Sequence, residues 1–181
     1  PAVEAGGKKV VGSINNQGDD MKKLLLMVML LIVSAAGSMA EMAEIGKSFP
    51  SYTLEDQFGQ TNTLSTDTRF VIVASEKDVS GKVNDWLKPK APDYLAAHKT
   101  EYVSDIEPMP GIITTLFAMP KMKKYPFKLL LATEKSFAAT YPKEKGRIAL
   151  FVLDANQVLT DIRFVESPAE IEAVITAGAG K

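Results

Sequence analysis

The chain has 181 residues, of which 46% are hydrophobic and 24% charged, with a formal net charge of −1 and no cysteine. That is the composition of an ordinary globular protein with material for one core. Lysine and arginine are matched by acidic residues and spread along the chain, which argues against a nucleic-acid binder, and the missing thiol excludes any chemistry that needs a thiolate.

Two lysines behind Met21, an apolar run from Leu24 to Val33 and small residues ending in Ser38-Met39-Ala40 match the three parts of a bacterial-type secretory signal peptide. Cleavage is expected after Ala40, and the expected address is periplasmic or secreted. The run yields to Ser-Ala-Ala-Gly-Ser too soon for a transmembrane helix, which takes roughly 20 apolar residues. Membrane contact is therefore expected only through an uncleaved signal segment. Pro1–Asp20 lacks the short basic character of a signal's leading region, and is expected to be a disordered upstream extension. The remainder, residues 41–181, has the size of a single domain. Without disulfides, which an oxidising compartment would permit, its core must suffice.

From Phe49 to Leu64 the pattern predicts two short strands around a turn carrying Asp56 and Gly59. Phe70–Ala74 is a continuous apolar run that predicts a strand buried on both faces. Ser75–Ser80 follows as a polar loop. A helical segment is expected from about Gly81 to Lys99, with Val83, Trp86, Leu87, Tyr94 and Leu95 as core positions, interrupted by Pro89 and Pro92. Thr100–Ile106 alternates as a strand. Ile112–Lys124 predicts a helix with Ile113, Leu116, Phe117 and Met119 on one apolar face, ended or bent at Pro120. Tyr125–Ala132 returns to strand, and Ser136–Arg147 reads as loop around one helical turn. Ile148–Val165 is a hairpin turning at Asp154–Gln157. Ser167 as N-cap, Pro168 at the first helical position and Glu170 at the third open a closing helix, with Ile171, Val174 and Ile175 facing the core until Gly178 and Gly180 end it.

This order of elements resembles the thioredoxin fold, in the branch of peroxiredoxins and alkyl hydroperoxide reductases. Ile45-Gly46-Lys47-Ser48-Phe49-Pro50 through Asp56-Gln57-Phe58-Gly59 is similar to that branch's opening strand and turn, and Phe151–Val158 is similar to its hairpin. The resemblance covers residues 45–175. It implies an α/β fold: a three-layer α/β/α arrangement with a mixed central sheet and an N-terminal β-hairpin extension. It also implies a redox thiol within Ser75–Val83 and a proline, commonly cis, near Gly146-Arg147-Ile148. This chain has neither. Ser75, Ser80 and Gly81 are the small residues left at the degenerate redox position, and serine cannot stand in for a thiolate.

Other residues offer alternatives. A nucleophilic Ser80 would need a base, and the one histidine, His98, lies at the far end of the next helical region. Met109, Met119 and Met122 are candidate Cu(I) ligands of the kind thioethers provide, or gap-fillers on an apolar face. Lys121, Lys123, Lys124, Tyr125 and Lys128, with Lys143, Lys145 and Arg147 later, form a candidate partner surface or a solvated face. Glu101, Asp105 and Glu107 alternate along one strand and would need a pocket to act as acids or bases. The expected function is an exported domain without redox activity or cofactor, binding a protein or small-molecule partner. Periplasmic copper handling, and a hydrolase or other enzyme with an unrecognised site, are the alternatives.

Overall fold

The five residues Phe70–Ala74 are buried without exception, as the unbroken apolar run requires of a strand covered on both sides. The computed structural model describes Ala2 and residues 41–111 and 114–178. Two units divide the chain, Pro1–Met39 and Ala40–Lys181, and every element named below belongs to the second. The signal-peptide reading of Met21–Ala40 and the extension reading of Pro1–Asp20 therefore concern stretches outside the described residues, Ala2 apart. Among the described residues no helix is long and apolar enough to cross a membrane.

The elements run β1 (Thr53–Asp56), β2 (Thr61–Thr63), β3 (Phe70–Ala74), α1 (Lys77–Leu87), α2 (Tyr94–Ala97), β4 (Thr100–Asp105), a π-helical segment (Thr114–Ala118), α3 (Met119–Met122), β5 (Leu130–Ala132), α4 (Lys135–Thr140), β6 (Ile148–Leu153), β7 (Leu159–Val165) and α5 (Pro168–Gly178). The strands form one mixed sheet in the order β2-β1-β5-β4-β3-β6-β7. β3, β4 and β5 are parallel, with Phe70 opposite Thr100 and Val103 opposite Leu130. The outer strands pair antiparallel.

Alternation along the strands splits the core in two. On one face Ile72, Tyr102 and Leu150 pack against Val79, Val83 and Leu87 of α1, Leu95 of α2, Met122 of α3 and Ile171 and Ile175 of α5. On the other, Val71, Val73, Val103 and Phe151 pack against Phe137 of α4, Tyr141, and Ala43, Phe49 and Tyr52 from the chain before β1. The result is a three-layer α/β/α sandwich.

Local chemistry follows the sequence where short-range signals act. Asp56 Oδ1 accepts the amides of Phe58 and Gln60 at 2.8 and 3.0 Å, and Gly59 takes a φ of +80° to close the β1–β2 turn. Asp154 Oδ1 does the same for Asn156 and Val158 in the β6–β7 turn. At α5, Ser167 Oγ accepts the Ala169 amide and Glu170 reaches back to the Ser167 amide at 3.1 Å, a reciprocal capping box.

Three expectations are corrected. Ser75–Ser80 is not all loop: α1 begins at Lys77, with Asp78 in its first turn and Val79 in the core. Tyr125–Leu129 is irregular, with bends at Pro126 and Phe127, and only Leu130–Ala132 is strand. The segment before Pro120 is π-helical, and Leu116 and Phe117 are 58% and 71% exposed instead of core-facing. Pro120 lies inside α3 and has no amide to donate, which loosens the preceding turn into the wider register and moves those side chains off the apolar face. Ile113 and Gly180 lie outside the described residues.

Candidate binding site

In an open sheet with parallel central strands, ligands enter at the carboxyl ends of those strands. Here β3 ends at Ala74 and β4 at Asp105, adjacent in register through Ala74 and Ser104. α1 leaves β3 directly over this edge, and residues of 106–110 and 117–125 line the far side. Between them lies a cavity of about 960 Å³ whose lining includes Ser75, Ser80, Gly81, Asn84, Met109 and Tyr125.

Its floor is polar. Ser80 Oγ and Ser104 Oγ lie 3.3 Å apart. Tyr102, next to Ser80 and wholly buried, has no hydrogen-bond partner for its Oη among the described residues. Burial pushes its phenol well above the ordinary value, a trend that the nearby Ser80 hydroxyl opposes. The Asp105 carboxylate, 1% exposed, pairs with Lys143 at 3.2 Å and accepts the Glu107 amide. Asn84 is 8% exposed, and its buried Oδ1 has no partner among the described residues. The far wall is apolar, formed by Ile106, Met109, Met122 and Tyr125. Tyr125 stacks on Phe127 with centroids 5.1 Å apart, and Lys88 Nζ lies 5.6 Å from its ring centre.

The two degenerate redox positions meet. Glu76, at the head of α1, accepts the Gly146 amide at 2.7 Å, and Gly146 has a φ of +75°. That loop is where the resemblance implied a cis-proline, and among the described residues no peptide bond is cis. A carboxylate-to-backbone bond now joins the segments where the thiol and the proline would face each other.

The chain overlays on peroxidoxin BcpB from Mycobacterium tuberculosis with a TM-score of 0.51 and 17% identity, covering 76% of this chain and 98% of that one. It overlays on a protein proposed to be the thiol:disulfide interchange protein DsbE from Chlorobium tepidum with a TM-score of 0.50 and 17% identity, covering 75% and 97%. A hypothetical protein, SMc02350 from Sinorhizobium meliloti 1021, gives 0.51 and 20%, covering 76% and 85%. The fold is thioredoxin-like. No family model and no curated protein matches the chain in sequence. At these identities the likeness is one of fold, and this thioredoxin-like chain has no cysteine with which to perform the thiol chemistry those names describe.

The cavity gathers Ser75, Ser80 and Gly81 with Met109, Met122, Lys121 and Tyr125. Met119 does not line it and packs against the core. Lys123 and Lys124 are exposed nearby in sequence, whereas Lys128 donates to Asn62 Oδ1 and lines a separate, smaller cleft with Glu101. Glu101 holds Tyr52, Ser65 and Thr68, and Glu107 approaches Lys135 at 4.0 Å, so the three carboxylates do not converge. His98 binds the Tyr94 carbonyl through Nδ1 and is not in the cavity wall, which leaves Ser80 without that base. Sequence reasoning missed Asn84. Its signal was its place one helical turn after Ser80, beside the apolar stripe Val79, Val83 and Leu87.

Proposed function

We propose that this is an exported binding domain on a thioredoxin-like scaffold without redox activity, and that its partner, a protein or a small molecule, seats in the cavity between α1 and the side chains of Met109, Met122 and Tyr125. The observation that carries this reading is the cavity itself: about 960 Å³, walled largely by apolar groups, at the strand ends where α/β folds place ligands. The composition of Met21–Ala40 supports export. Gly81 offers the test, because a Cβ built on it meets nothing within 4 Å and a larger side chain would project from a cavity-lining position. Tagged protein is expected to retain a partner from periplasmic extract, and Gly81→Trp to lose it with melting temperature unchanged. Equal retention by both proteins would remove the cavity from the reading, and disulfide-reductase or peroxidase turnover by the pure protein would sink it.

A second reading, Cu(I) handling, draws on Met109 and Met122 both lining this cavity. Titration with Cu(I) against a competing chelator tests it, and binding that survives Met→Leu at positions 109, 119 and 122 together eliminates it.

A further inference from the structure

From Pro108 to Thr133 the chain holds four lysines, Lys121, Lys123, Lys124 and Lys128, and no aspartate, glutamate or arginine. Within this stretch the π-helical segment and α3 are seated on the protein by one side: Met122 is buried, and Ala118 and Met119 pack half-buried against the core. The outward side carries Leu116, Phe117, Pro120 and Lys121, with Lys123 and Lys124 exposed in the turn that follows. Five large hydrophobic residues are exposed among the described ones, and only Leu116 and Phe117 adjoin in sequence. Phe117 and Lys121 both line the cavity, which places them on one side of the segment.

The lysines are as little engaged as the apolar pair. Among the described residues none of Lys121, Lys123 and Lys124 forms an ion pair. The Asp85 carboxyl is held low first by its hydrogen bond with Lys88, at 2.6 Å, and only last by Lys121. An aromatic and an aliphatic side chain beside uncommitted ammonium groups suit a lipid interface, where the apolar groups enter the acyl boundary and the lysines reach the headgroups. Clustered lysines at such a boundary select anionic lipid. A protein partner fits less well, because protein interfaces are depleted of lysine and favour the planar fork of arginine, which this stretch lacks.

We infer that the exposed face of residues 116–124 docks on an anionic lipid surface, Leu116 and Phe117 entering the headgroup boundary and Lys121, Lys123 and Lys124 meeting the lipid phosphates. The contact lies on the membrane without spanning it, and it is separate from the signal segment, where the sequence alone placed any membrane contact. It needs no occupant in the cavity, and through Phe117 and Lys121 it brings the cavity wall against the bilayer.

Because the chain has no cysteine, one introduced thiol carries a polarity-sensitive fluorophore at a chosen place in the full protein. Leu116→Cys reports on the proposed face. Ala155→Cys, exposed in the β6–β7 turn, reports on the opposite end of the sheet, since β6 runs antiparallel to β3 and Val152 lies beside Phe70. Each is titrated with vesicles of phosphatidylcholine alone and of an equimolar mixture with phosphatidylglycerol, with acyl-brominated lipid as quencher. In the mixed vesicles the label at 116 is expected to shift to the blue and be quenched, and the label at 155 to stay unquenched. Lysine-to-glutamine changes at 121, 123 and 124 are expected to raise the lipid concentration at half response about fivefold each and about 100-fold together. Phe117→Ser is expected to raise it about 10-fold. All four positions are exposed, so melting temperatures should hold. No quenching at 116 overturns the inference, and if the protein still floats with the vesicles the signal segment is its contact. An equal response to phosphatidylcholine alone, or an unchanged half response in the triple lysine variant, overturns it because the lysines then select nothing. A shift at 116 that grows with protein concentration in the absence of lipid would seat a second copy of the chain on this face and overturn it too.

Discussion

Gln57 does more for this fold than its place beside a turn suggests. Besides the two side-chain bonds, its own amide donates to the Leu129 carbonyl at 3.2 Å, so one residue serves as a strand's edge for the segment entering β5. Its bonds carry the β1–β5 pairing past Asp56 and Leu130 to the Phe127 carbonyl and both polar groups of Leu129. Gln57→Ala leaves the Phe127 carbonyl and the Leu129 amide buried without partners. Each such group costs about 1–3 kcal/mol, so a loss of about 2–5 kcal/mol is expected, read as a lower urea midpoint with an unchanged slope. A change under about 0.5 kcal/mol would mean that water replaces the amide, contrary to its complete burial. None of this was legible in the sequence, where Gln57 is one polar residue between Asp56 and Phe58. A side chain that bonds 70 residues away leaves no short-range trace.

At the scale of elements, the helices of one layer are joined at Glu172. This α5 carboxylate accepts the Trp86 indole N–H of α1 at 3.0 Å, the Tyr94 hydroxyl of α2 at 3.3 Å, and an ion-paired hydrogen bond from Lys90 in the loop between them. The Lys90 bond, followed by the indole bond, holds the Glu172 carboxyl below its ordinary value of 4.5. A carboxyl lowered in the folded state stabilises fully above that ordinary value, and the contribution is lost as pH falls through the folded value. The group is over a third exposed, so screening limits the effect to about 1 kcal/mol. Trp86 is the only tryptophan, and its fluorescence is expected to titrate with Glu172 below about pH 4.5 and to lose that step in Glu172→Gln. A step that persists in the variant would place the titrating group elsewhere. The elements the sequence disclosed are those governed by local rules: the buried run Phe70–Ala74, the Asp-led turns, and the capping box at Ser167. It misled where distant structure decides. α1 starts early because Val79 finds the core, and Leu116 and Phe117 turn outward because Pro120 withholds a donor. The cavity was legible only in fragments, since Ser80 and Met109 stood out separately and only the sheet brings them together.

Across the whole molecule, a core built without disulfides concentrates its vulnerability in buried phenols. All five tyrosines titrate above the ordinary value, and three lie deep: Tyr102 on one face of the sheet, Tyr52 and Tyr141 on the other. Burial is the leading cause for each, and for Tyr52 the Glu101 carboxylate, 2.7 Å from its hydroxyl, adds to it. A phenol raised in the folded state contributes stability that is complete below its ordinary value and drains away as pH climbs from there toward the folded value. Both core layers are therefore expected to weaken together above about pH 10. The urea midpoint should be flat from about pH 7 to 9 and fall steeply beyond, with tyrosinate absorbance rising in step with unfolding. Tyr141→Phe gives up the hydroxyl's bond to the Pro50 carbonyl, costing about 1 kcal/mol near neutrality, and should make the alkaline decline shallower. Tyrosinate forming in the still-folded protein near pH 10 beyond what the half-buried Tyr94 and Tyr125 supply, as measured in the Tyr94→Phe/Tyr125→Phe variant, would show that the three deep phenols reach water, and would overturn the account of both faces of the core.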